Sequence, residues 1–253
     1  MTGAPASPRP ARVRIGCAGW SLASAHAPLF GEGDSHLARY ATRLNAVEIN
    51  SSFYRPHRRQ TYEKWAASVP RDFRFSVKLP KAITHESALR RSGDALSAFA
   101  DQVRGLGSRL GGVLVQLPPS LAFQARVADT FFAMLRRRLA VPVACEPRHA
   151  SWFSPAADAT WARHDVARVA ADPPPVPPAH VPGGTRRWSY WRWHGSPRMY
   201  YSAYDDERLD ALAGEVRAAA GARRQAWCIF DNTAHGHAVE DALRLLERLS
   251  GAR

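Results

Sequence analysis

The sequence has no apolar run approaching the roughly 18 residues that a membrane-spanning helix needs, so no such span is expected. Its first stretch, Met1 to Arg14, is rich in Pro, Ala and Arg and lacks the apolar core of a signal peptide. Residues 1–12 therefore read as a disordered leader. Cysteine is scarce. Cys17, Cys145 and Cys228 stand far apart, each inside an apolar run, and no close pair exists to hold a soft metal. Three reduced, buried thiols in a cytoplasmic protein are expected. Lysine is nearly absent, since the Lys+Arg total of 35 contains only Lys64, Lys78 and Lys81. No internal repeat is evident.

The 253 residues are enough for one large α/β domain, placed at residues 13–253. A hydrophobic fraction of 45% and a charged fraction of 23% are ordinary for a globular chain. The net charge of +13 attracts polyanions. The cations are scattered, however, with short clusters only at Arg136–Arg138 and Arg223–Arg224. Scattered charge reads as solvated surface.

Short β-rich runs alternate with longer helical ones, the pattern of repeated βα units around a parallel sheet. Strands are predicted at Val13–Cys17, Ala46–Asn50, Phe73–Lys78, Gly112–Gln116, Val141–Glu146, Val166–Ala171, Trp188–His194 and Ala226–Phe230. Helices are predicted at Ser35–Leu44, Thr61–Ser68, Asp94–Leu110, Ala125–Leu139, Pro155–His164, Glu207–Gly221 and Val239–Leu249. Eight strands suit a TIM-like (β/α) barrel. One crossover departs from the pattern: Pro173 to Arg187 reads PPPVPPAHVPGGTRR, and proline lacks the amide donor a helix needs. The helix between strands six and seven is expected to be replaced by this loop.

Strand alternation assigns faces. Val47 and Ile49 pack outward, which turns Glu48 and Asn50 into the barrel. Phe73, Phe75 and Val77 share one face and leave Lys78 on the other. Glu146 opposes Val143 and Cys145, while Arg192 and His194 are in phase with each other. These groups lie at the C-terminal ends of their strands, the rim where barrel enzymes build active sites. Taken singly, each is as well explained as a structural ion pair or a hydrogen-bonded core histidine. As a set they are harder to dismiss, because unpaired buried charges each cost several kcal/mol.

The chain resembles the YecE-like family, a domain of unknown function. The resemblance rests on Ile15-Gly16-Cys17-Ala18-Gly19-Trp20, Val47 to Arg55, Phe75-Ser76-Val77-Lys78, Thr84-His85 and Val115 to Ser120. It continues through Glu146 to Trp152, Arg192-Trp193-His194-Gly195 and Phe230-Asp231-Asn232. It implies a TIM-like barrel and brings no settled reaction; a likeness to metal-dependent barrel nucleases is one of fold alone. Two segments depart from the family pattern. Asp231 stands where an asparagine is usual, and Cys17-Ala18 replaces small hydroxylated residues.

Three functional readings compete. In the first the protein is an enzyme acting on a phosphodiester or phosphosugar. Glu48, Glu146, Asp172 and His194 are its candidate catalytic groups, and a divalent metal, held from separate strands, is its candidate cofactor. The candidate substrate-binding set is Trp20, Asn50, Tyr54, Arg55, Lys78, His85, Gln116, Arg148, His149, Trp152, Arg192, Asp231 and Asn232. Lys78, Arg148 and Arg192 would neutralise phosphate. The second reading is a non-catalytic protein that binds nucleic acid or another anion through its basic surface. The third is a metal-free glycoside hydrolase that uses Glu48 and Glu146 as its carboxylate pair, with Trp20 and Trp152 stacking on sugar. A small phosphorylated ligand ranks above a polymer, and no membrane partner is expected.

Overall fold

The computed structural model describes residues 13–221 and 224–251; the expected leader lies outside the described residues. The strands are β1 Val13–Cys17, β2 Ala46–Ile49, β3 Arg74–Lys78, β4 Leu110–Gln116, β5 Val143–Glu146, β6 Val166–Arg168, β7 Ala170–Asp172, β8 Gly183–Gly184, β9 Trp188–Trp193 and β10 Gln225–Phe230. The helices are α1 His36–Tyr40, α2 Arg59–Ala67, α3 Gly93–Val103, α4 Ala125–Arg138, α5 Pro155–Arg163, α6 Asp206–Gly221 and α7 His237–Ser250. Parallel pairing runs β2-β3-β4-β5-β6 on one side and β7-β9-β10-β1 on the other. A parallel bridge from Ala18 to Glu48 joins β1 to β2, reinforced by the Gly19 amide donating to the Glu48 carbonyl at 2.9 Å. The remaining seam lies between β6 and β7. These are two halves of one stave, interrupted at Val169, whose amide donates to the Cys145 carbonyl at 2.8 Å. The lower half pairs with β5 and the upper half with β9. The architecture is a TIM-like barrel.

Apolar residues at helical spacing, such as Leu96, Phe99, Ala100 and Val103 of α3, pack the helices onto the outer faces of the strands. On α7 the inner face is Val239, Ala242, Leu243 and Leu245, with Leu246 and Leu249 at its edge. The helix expected over Asp94–Leu110 stops at Val103 and continues as a 3₁₀ segment, Arg104–Arg109. Gly107 takes a φ of 52° there, outside the helical region. No α-helix lies between β7 and β9. The proline segment forms a 3₁₀ turn at Pro177–His180 and then β8, which pairs antiparallel with β6. The Arg168 side chain donates to the Pro178 carbonyl at 2.8 Å and pins this segment to the barrel wall.

The barrel interior is a cluster of its own. Trp188, Tyr190 and Trp227 project from β9 and β10 toward Ala46, Leu114, Ala144, Ala167, Val169 and Ile229. Two glycines on β4 make room for the indoles. A Cβ at Gly111 would meet Trp227 Cζ2 at 2.6 Å, and one at Gly112 would meet Trp188 Cη2 at the same distance. The three cysteines are free and buried in the outer layer, and among the described residues no helix is long and apolar enough to cross a membrane.

Gly112→Ala should therefore destabilise the fold by about 1–3 kcal/mol, since a buried ring in a packed interior has little room to move aside. Chemical denaturation of the variant beside the wild type reads this directly. An unchanged midpoint would contradict the close approach.

Candidate functional site

Residues 188 to 194 alternate Trp, Ser, Tyr, Trp, Arg, Trp, His, and the inward members Trp188, Tyr190, Arg192 and His194 climb the barrel axis from its floor to its mouth. Arg192 is 1% exposed, and its guanidinium is gripped by three carboxylates. Nε and Nη2 donate to Glu48 at 3.0 and 2.7 Å, Nη1 to Glu146 at 2.6 Å, and Nη2 also to Asp231 at 2.9 Å. Glu48 also accepts from the Tyr190 hydroxyl at 2.9 Å. His194 presents Nδ1 to Asp231 at 3.0 Å and Nε2 to Glu146 at 2.9 Å. Arg148 approaches from the β5 loop, with Nη2 2.5 Å from Glu146 and 2.9 Å from His194 Nε2.

Burial alone would raise the Glu146 carboxyl, but Arg148, Arg192 and His194 outweigh it and hold the group well below the usual carboxylate range. The same balance, led by Arg192, keeps Asp231 low. The site is thus a set of committed anions. No group of three or more His, Cys, Asp or Glu side chains among the described residues is arranged to hold a metal ion. The reason is chemical: Glu48, Glu146 and Asp231 already direct their lone pairs at Arg192, which stands where a cation would have to sit. The donor set does not fit the divalent metal considered from the sequence.

Lys78, at the end of β3, is a further cation near this network and is bound to none of it. It is 8% exposed, and its Nζ lies 4.1 Å from the centre of the Phe53 ring with no ion-pair partner among the described residues. Burial, then repulsion from Arg192, lowers its ammonium to about 8 despite the opposing pull of Glu48, Glu146 and Asp231. His85 packs edge-on against the same Phe53 ring at 4.9 Å, and burial followed by the charge of Lys78 lowers its imidazolium. Asn50, at the end of β2, has a buried side-chain oxygen with no partner, and the buried Nε of Arg148 is also unpartnered. Beside Arg148 opens a cleft of about 360 Å³, walled by Gln116, Pro119, Pro173 to Pro175, Met199 and Tyr200. A cleft of about 420 Å³ opens at the opposite end of the barrel, against Arg14, Arg74 and Trp227, the end where this architecture builds stability rather than chemistry.

Several sequence candidates lie elsewhere. Asp172, a candidate catalytic acid by sequence, is in register with Trp193 and faces outward, toward the Tyr204 hydroxyl at 3.1 Å and Arg208. Trp152, expected to stack on a ligand, is 1% exposed, donates to the Leu121 carbonyl and stacks on Trp161 in the helical layer. His149 caps the 3₁₀ turn that follows β5, accepting from the Ser151 amide. Asn232 is fully buried and donates to Ser202 and Asp241. Trp20 rests edge-on against Trp65 at 5.0 Å, while Tyr54 and Arg55 lie exposed on the rim.

Sequence reasoning passed over Tyr190, although it shares the inward phase of Arg192, and Tyr200, whose ring stands edge-on to His194 at 5.8 Å. Tyr200 adopts a φ of 70°, a strained backbone for a non-glycine residue beside the cleft. The sequence pattern carries no sign of that conformation. The pair His235-Gly236-His237 is plain in the sequence, but it lies at the start of α7, where His237 and His26 flank Glu240 rather than the barrel mouth.

A family model described as a protein of unknown function, DUF72, matches residues 14–253. The chain belongs to this family. The UPF0759 protein YecE of Escherichia coli K12 is 32% identical over 106 residues, which is 42% of this chain and 38% of that protein. A DUF72 family protein of Enterococcus faecalis superposes with a TM-score of 0.80 at 22% identity, covering 95% of this chain and 96% of that one. One from Thermotoga maritima does so at 0.77 and 24%, covering 94% and 98%. These likenesses carry the TIM-barrel-like fold and no reaction.

Glu146→Gln should cost about 3–5 kcal/mol at neutral pH, because it leaves Arg148 and Arg192 short of a buried counter-charge. The wild-type contribution of Glu146 is present above the ordinary carboxylate range and is lost as pH falls through that range toward the depressed folded value. Wild type and variant should therefore converge on acidification. A variant as stable as wild type at neutral pH would remove the ion-pair account.

Proposed function

We propose that this protein is an enzyme acting on a small phosphate-bearing ligand, a phosphosugar or phosphodiester, at the C-terminal rim of its barrel. The observation that carries the reading is the Lys78 ammonium, unpaired among the described residues, beside a network whose carboxylates are already committed. A cation kept out of water without a counter-ion weakens the fold and is better explained by a ligand's negative charge than by structure. Arg148, following β5 two strands from Lys78, has a buried Nε with no partner among the described residues, and the cleft beside it suits a small molecule. Glu146, held ionised with its oxygens already engaged, is suited to electrostatic work and not to general-acid work.

That last point separates this reading from glycoside hydrolysis, which needs one carboxyl raised to act as an acid. Glu48 and Glu146 instead share one guanidinium. Polymer binding is the weaker alternative, because several surface arginines are engaged with acids or backbone carbonyls, as Arg163 is with Asp129 and Arg136 with Val141.

Two outcomes are expected. Sugar phosphates at about 100-fold over their Kd should stabilise the wild type by about 2.7 kcal/mol, and Lys78→Met or Arg148→Met should abolish most of that gain. Equal stabilisation of variants and wild type, or none of the wild type, would overturn the assignment. Without ligand, Lys78→Met should be more stable than wild type by about 1–3 kcal/mol at neutral pH. The folded-state value lies below the unfolded one, so the lysine penalty is complete below about 8 and fades as pH rises toward 10.5. A destabilised Lys78→Met protein would instead mark the lysine as structural.

A further inference from the structure

The chain contains 35 cationic side chains of the Lys and Arg type but only three amines among them, and only one of those is inside the barrel. Lys64 is exposed, and Lys81 is exposed and paired with Glu86 at 3.2 Å. A site that needed only positive charge could use arginine, as this chain does almost everywhere else. Arginine keeps its proton and cannot act as a nucleophile, whereas a lysine set among apolar and cationic neighbours can. Lys78 meets that description. Its Nζ rests on the Phe53 face, it ends a strand at the C-terminal rim of the barrel, and among the described residues it makes none of the ion pairs that join Arg148, Arg192 and His194 to Glu48, Glu146 and Asp231.

We propose that Lys78 forms an imine with the carbonyl carbon of its ligand, so that the substrate class is a phosphorylated aldehyde or ketone. This inference rests on the anion-site reading above and specifies the group the anion accompanies. In the step, the amine lone pair forms the C–N bond and the carbonyl π pair moves to oxygen. That oxygen takes one proton from the nitrogen and one from solvent and leaves as water, which gives a protonated imine. The electron-withdrawing C=N then eases removal of a proton or a carbon group from the adjacent carbon. His85, edge-on to the same Phe53 ring, has its imidazolium disfavoured by burial and by Lys78 and would relay protons. Arg148 and the cleft beside it would receive the phosphate.

The depressed amine supports the same chemistry. With Lys78 at about 8 against an ordinary 10.5, its unprotonated fraction at neutral pH exceeds that of a surface lysine by about two orders of magnitude. Reduction with borohydride makes an imine permanent, so peptide mass mapping of the intact wild-type protein reads the proposal without relying on a variant. After incubation with dihydroxyacetone phosphate and borohydride, the adduct should sit on Lys78, over Lys64 and Lys81 by about tenfold or more. Lys78→Arg should lose it. Adduct spread evenly over the three lysines, or absent from Lys78, overturns the imine.

Glycerol 3-phosphate, which has no carbonyl, separates this failure from that of the underlying reading. Thermal stabilisation by glycerol 3-phosphate without any Lys78 adduct refutes the imine and keeps the anion site. Equal labelling of Lys78 by unphosphorylated dihydroxyacetone keeps the nucleophile and refutes the phosphate. Neither stabilisation nor labelling refutes both.

Discussion

Arg192 is a guanidinium sealed inside a barrel, and the mouth is organised around neutralising it. A buried cation of this kind is tolerated only when its donors are matched by acceptors of opposite charge. Glu48 supplies a two-point grip from β2, Glu146 reaches it from β5 and Asp231 follows β10, so one side chain ties together strands on opposite sides of the ring. The consequences spread from there. Glu146, drawn to Arg192, also holds Arg148 and His194; Glu48 also engages Tyr190. Repulsion from Arg192 is in turn one reason that Lys78 gives up its proton readily.

The barrel below this network explains how such a charge can be held still. Its interior is filled asymmetrically, with the large rings on β9 and β10 and aliphatic residues or glycine on the strands they face. Tyr190 sits between the two regimes. Its ring stacks on Trp227 at 6.0 Å, and its hydroxyl reaches up to Glu48. The floor is therefore rigid and aromatic, and the first polar layer rests directly on it. Above that layer the walls are loops, among them the proline segment and the strained Tyr200, which leave a cleft open to solvent. The polar layer is held in a fixed geometry on the packed floor.

Much of this was legible in the sequence, and the exceptions have physical causes. Alternation is a local property, so the inward phase of Glu48, Lys78, Glu146, Arg192 and His194 could be read from neighbouring apolar residues. No face could be read for Asp172, because the stave Val166 to Asp172 has small apolar residues on both faces and the pattern cannot tell one from the other. Trp152 lies in the helical layer and not at the ligand face, a difference the pattern does not carry because a tryptophan after a strand looks the same in either place. The 3₁₀ turn and α5 decide the matter, and they act only in three dimensions. The sequence likewise could not say which charges would pair. Four cations and three acids at one rim allow many partnerships, and the one that matters most is the pairing Lys78 does not make.

The anion site and the nucleophile both depend on that amine, unpaired among the described residues. Lysine methyl groups introduced by reductive methylation can be titrated by NMR, and with only Lys64, Lys78 and Lys81 in the chain the signals are assignable by single substitution. A Lys78 amine that titrates at about 8 is the predicted result. A value at the ordinary 10.5 would mean that Lys78 is solvated or paired, and would contradict both the anion site and the nucleophile.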